Sequence, residues 1–171
     1  MGRKSGKENK NIYLQSREDM GLTRAEASEA LQYISESRLE KIESEKAPAH
    51  PEDILAMAEV YHRPDLYNYY CARECPIGRK IVPEVKIKGL SQIVISMLAT
   101  LNALDREKER LIEITEDEQI TEDELMDFAR IQAQLEKISL TVEALKLWLN
   151  QTIAAGSIDK DKLETARASM K

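Results

Sequence analysis

Residues able to do chemistry are few in this sequence, and they are scattered. Cys71 and Cys75 stand four apart, one helical turn, a spacing that can bring two thiolates to one metal ion or to each other. Zinc takes four ligands, or three and a water; His62 is the nearest third candidate, and no fourth is evident. The two thiols therefore read as small buried hydrophobes beside a tyrosine-rich helix, and we expect no metal and no cofactor. Tyr61, Tyr67, Tyr69 and Tyr70 could stack on bases. At helical spacing beside Leu66 they instead read as closing a small domain and cradling the segment after it. His50 lies in a proline-rich loop and His62 at a helix end, neither with a nucleophile nearby in sequence. Glu122/Asp123 and Asp159/Asp161 sit at helix starts, where carboxylates complement the helix dipole and stay solvated. No glycine-rich phosphate loop, His-Glu-x-x-His or Gly-x-Ser-x-Gly is present. We do not expect an enzyme.

The elements that position these residues follow from composition and periodicity. Only six Gly, five Pro and one Phe in 171 residues argue against a sandwich or barrel, where turns recur at short intervals. No apolar run is long enough to span a membrane, and the N-terminus lacks the apolar stretch of a secretory signal. Two cysteines cannot staple a chain of this size, so the expected compartment is a reducing cytoplasm. Net charge is −6, distributed as −3 over residues 1–66, +3 over 67–89 and −6 over 90–171. An acidic second half is a poor surface for a polyanion, which leaves the first half and its basic arm, residues 1–10, for any such contact.

Residues 11–66 read as a string of short helices. The first runs from Ile12 to about Met20 and ends at Gly21, suited to a left-handed cap. Thr23-Arg-Ala-Glu26 is a capping box opening the second, which runs to about Leu31. Ser35 caps a third with Leu39 and Ile42 on one face; Pro51 starts a fourth and Pro64-Asp65 a fifth. Residues 74–89, with two Pro and two Gly, fit no helix; their Ile81, Val82, Val85 and Ile87 suggest a linker that lies packed. Beyond it, Leu90, Val94, Met97, Leu101, Leu104 and Leu111 form one apolar stripe. Phe128, Ile131, Leu135, Ile138, Val142, Leu145 and Leu149 form another, after a second capping box at Thr121-Glu-Asp-Glu124. A short turn between them predicts an antiparallel hairpin. Gly156-Ser157 ends it, and Asp159 caps a short last helix. Leu140 and Leu147 lie opposite the second stripe, so that helix needs a second partner: the first domain, the last helix or a second chain.

The stretches Ser16-Arg-Glu-Asp-Met-Gly-Leu-Thr-Arg-Ala-Glu26, Ile34-Ser-Glu-Ser-Arg-Leu-Glu-Lys-Ile-Glu43 and Pro51-Glu-Asp-Ile-Leu-Ala-Met-Ala58 resemble the phage-repressor (Cro/CI, or XRE) helix-turn-helix family over about residues 11–70. The acidic helical tail is similar to those attached to many bacterial regulators of this type. The resemblance implies a five-helix repressor-like domain over 11–73; with the periodicity above, the chain is expected to be all-α, with a linker over 74–89 and, over 90–171, a long antiparallel hairpin and short last helix for dimerisation or regulation. The resemblance also implies a sequence-specific transcriptional regulator that binds double-stranded DNA, with helix three, about 35–43, in the major groove. Arg24 stands where the family contacts phosphate, and Glu36, Ser37, Arg38 and Lys41 where it reads bases; Lys10, in the basic arm, is expected on phosphate. Arg17 and Glu43 match a structural ion pair between helices one and three. Tyr33 stands where the family's turn has Gly, in a turn one residue longer. The expected partners are DNA, a second copy and, through the acidic C-terminal helices, another protein; no membrane is expected. The competing reading is a protein-interaction module on a repressor-like fold without DNA binding, favoured by the acidic third helix.

Overall fold

A computed structural model describes residues 10–86, 88–117 and 119–170, all helical or irregular and without strands. The helices are α1 Ile12–Asp19, α2 Arg24–Leu31, α3 Glu36–Glu43, α4 Pro51–Val60, α5 Asp65–Arg73, α6 Gly78–Ile81, α7 Leu90–Ile114, α8 Leu125–Ala154 and α9 Lys160–Ala168. Among the described residues no helix is long and apolar enough to cross a membrane. The basic arm falls outside the described residues except for Lys10, and so does Ile87 of the linker.

Contact density divides the chain into two compact units. One takes in the described residues up to Glu84 together with Asn150 onward; the other is Val85–Leu149.

In the first unit the local chemistry sets the ends of α1 to α5. Asn11 caps α1 by accepting from the Leu14 amide, and Gly21 takes the left-handed conformation (φ +72°) that lets the chain leave it. Thr23 and Glu26 form the reciprocal capping box of α2. Ser35 accepts from the Arg38 amide at the start of α3. At α4 the Pro51 ring occupies the first turn, where no amide partner is needed, and Asp53 reaches back to the His50 amide at 2.8 Å. These short helices cannot stand alone in water and are held by a shared core. Tyr13, Leu31, Ile34, Leu39, Ile42, Ile54, Met57, Tyr61 and Leu66 are its larger buried members, with Ala27, Ala49 and Ala58 between them. Each fully buried aliphatic side chain contributes about 1.5–3 kcal/mol.

The segment after α5 departs from the expected irregular linker: residues 78–81 form the one-turn α6. Gly78 is required there, because a Cβ would lie 2.2 Å from the Cys71 carbonyl oxygen. The apolar side chains expected to pack divide: Val82 and Val85 are half-buried, whereas Ile81 is exposed. Side chains of α5 other than its tyrosines tie this stretch down, while the tyrosines pack on the core of the domain. Tyr69 meets Tyr13 edge to face at 6.0 Å, and Arg73 lies over the Tyr69 ring and reaches Glu84 at 2.6 Å. Asn68 Nδ2 donates to the Pro83 carbonyl.

In the second unit α7 and α8 pack against each other, joined across the seam by Arg110–Asp127 at 2.8 Å and Arg130–Glu107 at 3.5 Å. The expected inward stripes need correction. Ile93, Thr100 and Ile114 are the buried positions of α7, with Met97, Leu104 and Leu111 half-buried beside them. Leu90, Val94 and Leu101 are exposed. On α8, Ile131 is buried while Leu135 and Val142 are exposed. The sequence stripes straddle the inner seam and one outer face. Of the opposite pair on α8, Leu147 is buried and Leu140 exposed.

Candidate nucleic-acid interface

The third helix is presented by a buried ion cluster beneath it. Arg17 donates to both carboxylate oxygens of Glu43, Nε to Oε1 at 2.5 Å and Nη2 to Oε2 at 3.0 Å, and its Nη1 donates to the Leu22 carbonyl. Both residues are buried, and Glu43 raises the Arg17 pKa further above its ordinary value. The fork-to-fork geometry fixes the C-terminal end of α3 against α1. Asn11 adds a second tie by donating to the Ile42 carbonyl at 2.8 Å. Tyr61, buried alongside, has its pKa pushed up by burial and then by the nearby Glu43 charge.

Above this cluster, Leu39 and Ile42 point inward and Glu36, Ser37, Glu40 and Lys41 are exposed on the other side. This is the amphipathic split the sequence predicted for this helix. Ser37 and Lys41 lie four residues apart, on neighbouring turns of the outer face.

The remaining expected contact residues are less free. Arg38 donates from Nη2 to Asp53 at 2.6 Å and to the Pro48 carbonyl at 3.2 Å. It thereby ties α3 to the start of α4, with its side chain still 30% exposed. Arg24 donates from Nε to Glu43 at 2.8 Å, joining the buried cluster from α2 while staying 42% exposed. Lys10 pairs with Glu18 at 2.6 Å. The structure thus brings Arg24, Arg38 and α3 together in one small domain, and gives each arginine an intramolecular partner.

Sequence reasoning missed two features here. Gln32, not Tyr33, is the positive-φ residue in the turn before α3 (φ +62°, ψ −50°). That leaves Tyr33 to project 62% exposed, with its hydroxyl donating to the Glu52 carbonyl. Asn and Gly are the usual signals for such a backbone position, so a Gln there is not readable from residue type. The Arg38–Asp53 pair was invisible because its partners are fifteen residues apart and on different helices.

Among the described residues no three His, Cys, Asp or Glu side chains gather where a metal could be held. Cys71 and Cys75 are free thiols, both half-buried, and Cys75 Sγ accepts from the Gly78 amide.

Residues 15–66 match a family model described as a helix-turn-helix domain. Neither the curated proteins nor the solved structures contain a match to the chain.

Proposed function

We propose, from the helix-turn-helix domain at residues 15–66, that the chain is a sequence-specific DNA-binding transcriptional regulator whose third helix enters the major groove. The observation that carries this reading is the outer face of α3: exposed, polar, and held rigidly by the Arg17–Glu43 pair on its inner side. Rigidity matters because base readout needs donors and acceptors fixed to within a fraction of an ångström. In this reading Ser37 and Lys41 contact base edges. Arg38 does so with the part of its guanidinium that Asp53 leaves open, and Glu36 accepts from a cytosine amino group. Arg24 and Lys10 hold phosphates, each exchanging or sharing an intramolecular carboxylate for the DNA backbone. The C-terminal helices serve dimerisation or partner binding.

Lys41 offers the cleaner test than Arg38, because removing Arg38 also strands the Asp53 carboxylate. Lys41→Ala and Ser37→Ala, each compared with the unsubstituted chain on DNA from upstream of its own gene, are expected to lose about 1–3 kcal/mol of specific binding at unchanged melting temperature. Unchanged affinity for both variants overturns the assignment of α3 as the reading helix.

The second reading, a protein-interaction module on the same fold, is favoured by the exposed Glu36, Glu40 and Glu45 in and just after α3. Three carboxylates near a phosphate backbone oppose binding, and they suit a basic protein surface instead. Failure of the chain to bind any duplex at low salt selects this reading.

A further inference from the structure

Residues 90–104 of α7 hold no charged side chain on any face, four helical turns within an otherwise highly charged half. The apolar side chains of this stretch occupy more than one face of α7, and α8 covers only one of them. The register of the hairpin shows what stands uncovered. The cross-seam pairs Arg110–Asp127 and Arg130–Glu107 place Leu101 about level with Leu135, and Val94 about level with Val142. Each residue advances about 100° around its helix. The stripe Leu90, Val94, Leu98 and Leu101 is therefore displaced from the seam of α7 in the same rotational sense as Leu135 and Val142 are from that of α8. In antiparallel neighbours, displacements of the same sense fall on the same side. These six side chains, each 37–55% exposed, form one continuous apolar strip across both helices.

We infer that this strip is the interface with a second copy of the chain, two hairpins closing into a four-helix bundle. This deepens the dimer element of the function proposed above. Three observations favour a second copy over another occupant. The strip draws on both helices of the hairpin, so a two-fold axis through it sets α7 and α8 of one copy against those of the other in an isologous contact. Its ends carry charges already neutralised within the chain, Asp105–Lys108 at 3.6 Å and Glu143–Lys146 at 2.7 Å. Two copies of an acidic protein therefore approach here without meeting bare like charges. The six side chains expose roughly 500 Å² per copy, so full pairing removes at most roughly 1,000 Å² from them in all, the lower bound for a specific interface.

Sedimentation equilibrium of the full chain, without DNA, tests the inference. The expected result is twice the 19.5 kDa chain mass at micromolar concentration. Val94→Lys combined with Leu98→Lys is expected to yield the monomer at unchanged far-ultraviolet helicity. Met126→Lys, at a 76% exposed position on the opposite side of the hairpin, should leave the dimer intact. Should the double lysine variant unfold, Val94→Thr with Leu98→Gln is expected to raise the dimer dissociation constant at least tenfold. A monomeric unsubstituted chain at about 100 μM overturns the inference, as does a dimer indifferent to these substitutions. Because no DNA is present, loss of DNA binding elsewhere leaves this result untouched.

Discussion

Glu43 is the residue on which the first domain's geometry converges. Its carboxylate is 1% exposed and accepts from Arg17, 8% exposed, and from Arg24, 42% exposed. Removing one member of a buried pair leaves an uncompensated charge, which costs more than the pair contributes when intact. Glu43→Ala is therefore expected to destabilise the domain by about 3–5 kcal/mol, read as a lower urea midpoint at unchanged slope. Arg24→Ala is expected to cost less than about 1 kcal/mol, since solvent screens its half of the cluster and Arg17 remains. Equal costs for the two would contradict the placement of Glu43 as the hub. At this scale the sequence is legible where the signal is local. Thr23 with Glu26, Ser35 before α3 and Gly21 after α1 are recognisable because a cap is made within three or four residues. Arg17 with Glu43 followed only from the resemblance to repressors, and Arg38 with Asp53 did not follow at all, because sequence spacing carries no information about which charges meet across helices.

Among the elements, the short helices were readable from their caps and prolines, while the long ones were readable as helices but not in their orientation. Leu90, Val94 and Leu101 on α7, and Leu135 and Val142 on α8, alternate by three and four with their more buried neighbours, and periodicity assigns each set to the same stripe as those neighbours. A stripe that wide serves two contacts at once, and only the positions of Ile93, Thr100 and Ile131 show which part faces the seam. The residues at 78–81 were missed as a helix because one turn between two prolines carries no periodicity. The turn end of the hairpin has a pH dependence that follows from its ion pairs. The Arg110 guanidinium beside Asp127 holds this carboxyl below its ordinary value of 3.8. Its stabilisation is therefore complete above that value and is lost as the pH falls through the lower folded-state value. Acid titration followed by helicity is expected to show the hairpin weakening only below about pH 4. Asp127→Asn should flatten that part of the profile, and a profile unchanged by the substitution would contradict the pairing.

For the molecule as a whole, charge sets the terms on which it can meet DNA. The chain carries −6, and the helix proposed to read bases bears exposed Glu36 and Glu40 alongside Lys41. Non-specific attraction is accordingly weak, and two reading heads joined through their hairpins would recover affinity by raising the effective concentration of the second head. The most direct measurement is fluorescence anisotropy of a labelled duplex from upstream of the gene, titrated with the full chain over a series of salt concentrations. The account predicts binding at low salt that weakens log-linearly as salt rises, and stays tighter than to a scrambled duplex of equal length. A folded chain that leaves both duplexes free at the lowest salt would contradict it.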